Sequence, residues 1–416
     1  MSDTFCILPY IHFYTEPKGE VKPCCIAGGF DEPLNLKSMS IEESFNSPQM
    51  KQLRKDMEEG KRNKVCDVCY KREDATGHSP RVDVFNTNEL WKKPELKEDY
   101  SVPSDFQHID IRFSNLCNFK CRMCNHDFSS HWYEDMKKIR PNGVRTTKVL
   151  KASETIVEDL IPHLSKVKSF YFAGGEPLIM PEHYKVLTYL HDNFPSVDFF
   201  THESPDPFMN KIDISIHYNT NLSVLKFDEK NLVDMWQDFK QIFLSISCDG
   251  IGKVGEYQRT GFNTEKFEEN LKIIKKHFKP TNLQKSEGFG LKYNFQYTTT
   301  SMNVYHIFDF IDYMMNKEHI TESGQIDFYY AWSPNEVALS YLPNLEKNKI
   351  EKFLNKNKVN YSEKTQTEID SIINYMNSLD ISNIDGWEDG SRLHYIRSME
   401  EVHGGQFEDI SPVKIS

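Results

Sequence analysis

Between residues 106 and 335 the chain alternates short β-type runs with helical stretches, and this alternation restricts the fold more than any other feature. The runs lie at 108–113, 167–172, 212–217, 242–247, 291–297 and 326–330. Helical segments fall between most of them, at about 153–164, 181–193, 228–240, 264–278 and 304–317. Six strands alternating with helices imply βα units and a parallel sheet. Six units are too few for a closed eight-stranded barrel. They suit an open partial barrel or a doubly wound sheet, and periodicity does not choose between the two.

The first run feeds into Ser114-Asn115-Leu116-Cys117-Asn118-Phe119-Lys120-Cys121-Arg122-Met123-Cys124, three cysteines in a short loop with no fourth nearby. In a parallel α/β architecture, active sites gather in the loops after the strands' C-terminal ends. Soft thiolates in this number suit zinc or an iron–sulfur cluster. A structural metal site usually closes with four protein ligands, so three leave one position for something else. A zinc site completed by His126 or a distant His, or cysteines that only pack, are the plainer readings.

Nine cysteines stand at positions 6, 24, 25, 66, 69, 117, 121, 124 and 248. The N-terminus lacks a charged segment followed by an apolar core, and no apolar window approaches 18 residues, so a cytoplasmic protein off the membrane is expected. Thiols there stay reduced, and their clustering points to metal rather than disulfides. The net charge of −12 disfavours nucleic acid as a partner, a local basic cleft aside.

Cys117-x3-Cys121-x2-Cys124 directly after a first strand resembles the signature of the radical S-adenosylmethionine (SAM) superfamily. The resemblance implies a partial (β/α)6 TIM-like barrel and a [4Fe–4S] cluster on three cysteines, with SAM chelating the open iron. One electron then cleaves the sulfonium, and the 5′-deoxyadenosyl radical takes hydrogen from a substrate C–H bond. Further stretches agree, in order, each after a strand. Phe172-Ala173-Gly174-Gly175-Glu176-Pro177 resembles the family's GGEP motif, with two glycines for close backbone approach and Glu176 for the ligand's ammonium. Asn219-Thr220-Asn221 resembles its polar strand end. Ser247-Cys248-Asp249-Gly250 with Tyr257-Gln258-Arg259 resembles its S-x-D-G…R pattern. The resemblance thus implies cofactor contacts at Met123, Gly174, Gly175, Glu176, Asn221, Ser247 and Arg259. Ser247 would contact the ribose or carboxylate, and Arg259 would pair with the carboxylate. Cys248 reads as a small buried apolar residue, a radical hydrogen donor being the sharper alternative.

Upstream, the apolar runs 7–13 and 21–26 around Glu16-Pro17-Lys18-Gly19 predict a β-hairpin. Ser40-Ile41-Glu42-Glu43 is a capping box opening an amphipathic helix that Gly60 is placed to end. Cys66-x2-Cys69 has the spacing of a metal knuckle, and Cys24-Cys25 closes the hairpin. With Gly19-x4-Cys24 after Cys6, this segment resembles the hairpin half of SPASM and twitch modules, which carry auxiliary [4Fe–4S] clusters. Such modules usually follow the radical domain; here it comes first, as in a subfamily with an N-terminal twitch arrangement. A twitch module holds one cluster, and a full SPASM module needs about seven cysteines for two. Five are present, so one cluster on Cys6, Cys24, Cys66 and Cys69 is implied, with Cys25 able to replace Cys24. A four-cysteine zinc knuckle is the alternative.

Three regions follow: 1–95, a small α+β cysteine-rich cluster domain; 106–335, the partial barrel; and 336–416, a helical extension with helices at 344–357 and 363–379 and a polar tail. The stretch 96–105 reads as a linker. The expected function is a radical SAM enzyme with oxidoreductase-like chemistry on a small polar, carbohydrate-like or nucleotide-linked metabolite. An auxiliary cluster would receive the electron, and a flavodoxin or ferredoxin would act as reductant. Radical modification of a peptide or protein side chain is the second reading, and a non-catalytic Fe–S or zinc protein the third.

Overall fold

The computed structural model describes residues 3–86, 90–139, 147–198, 210–282, 290–380 and 389–413. Strands β1 (His12–Thr15), β2 (Glu20–Lys22) and β3 (Leu34–Asn35) precede helices α1 (Ile41–Phe45), α2 (Pro48–Glu58) and α3 (Asp67–Thr76). β4 (His108–Ile111) leads into the three-cysteine loop, which holds the two-residue strand β5 (Lys120–Cys121). Then come β6 (Ser169–Phe172), α4 (Pro181–Asn193), β7 (Asn210–Thr220), β8 (Phe239–Ser247) and β9 (Arg259–Thr260). After α5 (Thr264–His277), β10 (Gly290–Thr299), α6 (Ile307–Asn316) and β11 (Ile326–Tyr330), the chain ends in α7 (Asn344–Asn357), α8 (Glu363–Asn377) and α9 (Asp389–His403).

All six expected barrel strands form, and no pairing closes a barrel among the described residues. The fold is the α/β arrangement with parallel strands that the alternation predicts. The chain makes two compact units: 1–115 with 149–217 and 238–240, and 116–148 with 218–237 and 241–416.

In the first unit β1 pairs in parallel with β4, and β4 with β6, while β2 and β3 continue antiparallel beyond β1. The N-terminal hairpin therefore extends the same sheet as the first barrel strand. Strand residues alternate between faces. Phe170 and Phe172 stack on each other, and Phe172 meets His183 of α4, which fixes the apolar face. His12, Tyr14, His108, Asp110, Ser169 and Tyr171 stand on the opposite face, in register across three strands.

Three local expectations need correction. Residues 8–11 form one helical turn, with Pro9 in its first positions, so the hairpin begins only at His12 and its second strand ends at Lys22. The capping box at Ser40 is present, but the helix breaks after Phe45: Ser47 caps a new start at Met50 N–H and Pro48 is its first residue. The expected helix over 228–240 shrinks to Leu232–Trp236. A turn at Gln237–Asp238 follows, the Asp238 carbonyl accepts the Ile212 N–H, and β8 starts at once.

The linker, as expected, has no helix or strand over 96–105 beyond turns, yet it is docked. Asn46 exchanges two hydrogen bonds with the Val102 backbone. Arg54, fully buried, donates to the carbonyls of Pro9, Phe45 and Tyr100 and to the Asn46 amide oxygen, with its guanidinium 4.6 Å from the Phe45 ring centre.

In the second unit β8, β10 and β11 run parallel in that order. Phe295 and Tyr297 pack on Phe267 of α5 and Phe310 of α6. Ser245, Ser247, Asn294, Gln296, Thr298, Asp327 and Tyr329 occupy the alternate, polar face. α8 covers the outer edge of β11, where Glu368 accepts the Phe328 N–H and Lys364 donates to the Gly324 carbonyl. That substitutes for a strand partner and shields the edge. Part of the expected polar tail lies outside the described residues, and part of it forms α9. Among the described residues no helix is long and apolar enough to cross a membrane.

Arg54→Ala strands several buried carbonyls at once, each costing about 1–3 kcal/mol. Chemical denaturation of the full chain should show a loss of about 3 kcal/mol or more, and a loss below about 1 kcal/mol would contradict this role.

Candidate metal centres and cofactor site

The three-cysteine loop is pinned at its middle. β5 pairs antiparallel with β9, setting Cys121 opposite Arg259 and Lys120 opposite Thr260. The ladder continues through Arg122 N–H to the Gln258 carbonyl, 2.9 Å. Cys117 is buried, and Cys121 and Cys124 are half-buried. Burial pushes the Cys121 thiol up to about 11 and the Cys124 thiol to about 12, the neighbouring Cys121 adding to the second shift. Closely packed buried thiols are held protonated unless a cation compensates them, which is the environment a thiolate-bound metal reverses.

Arg259 is the cation at hand. Its Nε donates to Asp249 Oδ2 at 2.7 Å, and Nη1 lies 3.7 Å from Cys121 Sγ. Burial alone would lower its pKa, but Asp249 and Cys121 carry it above the ordinary value. Asp249 is pushed up by burial, against the pull of Arg259 and of the Thr298 N–H that it accepts at 2.7 Å. Sequence reading gave Asp249 no role of its own. Here it holds Arg259 toward the cysteine loop.

Asn221 also reaches this loop. Its amide donates to Asn118 Oδ1 at 3.0 Å, and Asn118 donates to Ser223 Oγ at 2.8 Å. Ser247 closes β8 opposite Gln296, half-buried on the polar face. Met123 is half-buried between Arg122 and Cys124. Cys248 is fully buried and donates its thiol to the Gly250 carbonyl, the behaviour of a packed small residue.

The GGEP stretch belongs to the first unit. Gly174 has φ +115°, and a Cβ there would meet the Ser114 carbonyl at 3.0 Å and Arg112 Cβ at 3.2 Å, so only glycine fits against the strand end. Gly175 N–H donates to that same carbonyl. Glu176 is buried, and one of its oxygens accepts the Leu178 N–H at 3.1 Å, capping the turn Pro177–Ile179.

The four N-terminal cysteines 6, 24, 66 and 69 are electrostatic neighbours within the first unit. Cys24 lies within electrostatic reach of Cys6 and Cys66, and Cys6 within reach of Cys66 and Cys69. Burial pushes Cys6 and Cys66 up to about 12 and Cys24 well above its ordinary value. Cys25 is exposed, and the nearby Asp110 carboxylate, itself paired with Arg112, helps burial push its thiol up to about 11. The donor set of Cys6, Cys24, Cys66 and Cys69 fits a thiolate-bound iron–sulfur group. Among the described residues no three His, Cys, Asp or Glu groups are arranged to hold a metal ion as they stand.

Residues missed from the sequence surround the ladder: Asn118, Arg122 and Gln258 of the motif segments, Trp132 after the cysteine loop, and His403 far downstream. Nothing in their local sequence marks them, because their partners lie up to 282 positions away.

Comparison with known proteins gives two family matches. Residues 111–292 match the radical SAM superfamily, and residues 6–70 match an iron–sulfur cluster-binding domain, SPASM. No curated protein matches the chain. Among solved structures, it is similar to anSMEcpe with bound AdoMet at 17% identity and TM-score 0.37, over 61% of this chain and 59% of that one. It is similar to Streptococcus suis SuiB at 13% identity and TM-score 0.32, over 86% and 69%. For TYW1 with a lysine-pyruvate adduct bound the values are 12% and 0.29, over 59% and 70%. The chain thus spans about six tenths of the length of the solved structures it matches first. Those two matches include the three-cysteine loop and four of the N-terminal cysteines, and the chain carries a radical SAM domain over residues 111–292 with a SPASM iron–sulfur domain before it, which implies SAM, a [4Fe–4S] cluster and auxiliary iron–sulfur binding.

Proposed function

We propose that this chain reductively cleaves SAM at a cluster held by Cys117, Cys121 and Cys124, takes hydrogen from a small polar substrate, and completes a net oxidation. The observation that carries this reading is the fixed placement of Arg259 beside Cys121, a permanent cation at the cysteine loop. When bound, the clusters supply one-electron chemistry: SAM reduction at one, and acceptance of the substrate's electron at the other.

The chain's own residues supply the rest. Arg259 offers a guanidinium, suited to a carboxylate, and Asp249 orients it. Gly174 and Gly175 present backbone without a Cβ in the way. Cys6, Cys24, Cys66 and Cys69 would fill every corner of an auxiliary cluster, which favours electron acceptance over substrate ligation. A polar substrate is supported by the hydrogen-bonding face of β8, β10 and β11, where Ser247, Gln296 and Thr298 remain half-open. All nine cysteines are free thiols, which suits a reducing compartment and a flavodoxin- or ferredoxin-type donor.

Reduced, anaerobically reconstituted chain should release 5′-deoxyadenosine from SAM, measured chromatographically. Single Ala replacements of Cys117, Cys121 or Cys124 should abolish release while N-terminal iron stays bound; retained release in any one would remove that ligand assignment. Arg259→Lys keeps the charge but loses the fork, so SAM affinity should fall by about tenfold with iron unchanged. An unaltered affinity would take Arg259 out of the site. At the other centre, Cys24→Ala should cost the N-terminal iron and Cys25→Ala should spare it, by iron analysis in the Cys117/Cys121/Cys124 triple Ala background; the reverse pattern would exchange the two roles.

A further inference from the structure

The C-terminal residues lie beyond both family matches, yet they converge on the ladder that carries Cys121 and Arg259. Arg122, buried in the cysteine loop, donates from Nη2 to the Gly404 carbonyl at 2.5 Å and from Nε to the Tyr257 carbonyl at 2.7 Å. Its guanidinium carbon stands 3.8 Å from the Tyr257 ring centre. One side chain thus ties the loop, the segment before Arg259 and the end of α9 together.

His403 makes the second tie. Nδ1 lies 3.0 Å from Thr260 Oγ1, on β9, and Nε2 lies 3.3 Å from the Asp135 carboxylate, which also pairs with Lys120 of β5. The imidazole packs 4.6 Å from the Trp132 ring, and Trp132 Nε1 donates to the Cys121 carbonyl at 3.0 Å. Both strands of the ladder are therefore held from the same helix end.

The turn that follows is fitted to this contact. Gly405 has φ +83°, and a Cβ there would lie 2.7 Å from Tyr257 Cδ2. Glu400 accepts the Phe407 N–H at 2.6 Å and meets the Tyr257 hydroxyl at 3.5 Å, and Ser411 donates to the Ser301 carbonyl at 2.9 Å. The arm closes back on its own unit after the turn.

We propose that residues 389–413 form a brace that holds the β5–β9 ladder in register, with His403 and the Gly404–Gly405 turn as positioning elements that touch neither cluster nor SAM. The consequence for the cluster rests on the function proposed above; the brace itself does not. Two-residue ladders have few bonds of their own to resist opening, so an external clamp governs how firmly Cys121 and Arg259 face each other.

Hydrogen–deuterium exchange reads the brace directly. In the full-length chain, His403→Ala and Gly405→Ala should raise uptake across 118–123 and 257–261 at least about fivefold. The rise should also occur in the Cys117/Cys121/Cys124 triple Ala background, where no cluster can form at that loop. His403→Gln, which retains a hydrogen-bonding group toward Thr260, should restore at least half the protection. Ile350→Ala, a core change in α7, controls for general loosening and should leave both segments protected. On the reconstituted chain, the His403 and Gly405 variants should release the loop's iron to a chelator about tenfold faster, with the SAM-dependent change in the reduced-cluster EPR spectrum diminished. Unchanged uptake in both variants, or an equal rise in Ile350→Ala, would overturn the brace. Raised uptake with no loop iron in the wild type would uphold the brace and refute the function proposed above.

Discussion

The site depends on one buried ion pair. Arg259 and Asp249 sit ten positions apart, at the start of β9 and just beyond β8, and their contact brings the segment after one strand onto the cysteine loop of another. Breaking such a pair by removing one partner costs about 3–5 kcal/mol, because the remaining charge is buried alone. Asp249 is held in turn by the Thr298 N–H, and Asn303 donates to the Asp249 carbonyl at 3.0 Å. Without that chain of contacts, Arg259 would have no reason to face Cys121, and the ladder would lose its most constrained residue. The pair is thus structural in its energetics, and it leaves the guanidinium beside Cys121.

The two faces of the parallel strands divide the same labour. Helices bury one face with aromatic and aliphatic residues, and the opposite face is polar in both units. In the first unit it includes Asp110, which burial pushes up to about 6 despite Arg112. Polar groups on a largely covered face are costly unless paired. Some of them are paired with one another, as Asp110 with Arg112 and Asn294 with Asp327.

Much of the fold was legible because its signals are local. Alternating apolar runs gave six strands, and the Ser40 capping box gave a helix start. Where the reading failed, a nonlocal contact or a short-range breaker decided. Ser47 and Pro48 split one helix into two, and a turn at Gln237–Asp238 ended another early. Helix α9 hid in a polar tail because its role is to contact Arg122 and Tyr257, about 150 and more positions upstream, and periodicity carries no trace of that. The choice between Cys24 and Cys25 was likewise closed to sequence.

The central claim is that two separate thiolate centres hold iron–sulfur clusters. The measurement that bears on it most directly is iron, sulfide and zinc per chain after anaerobic reconstitution, for the wild type and for the Cys117/Cys121/Cys124 triple Ala variant. Two [4Fe–4S] clusters predict about eight irons and eight sulfides falling to about four of each, with no zinc. About four irons falling to none, with one zinc retained, would make the N-terminal site a structural knuckle and end its electron-accepting role. Iron unchanged by the triple replacement would contradict the account at its root.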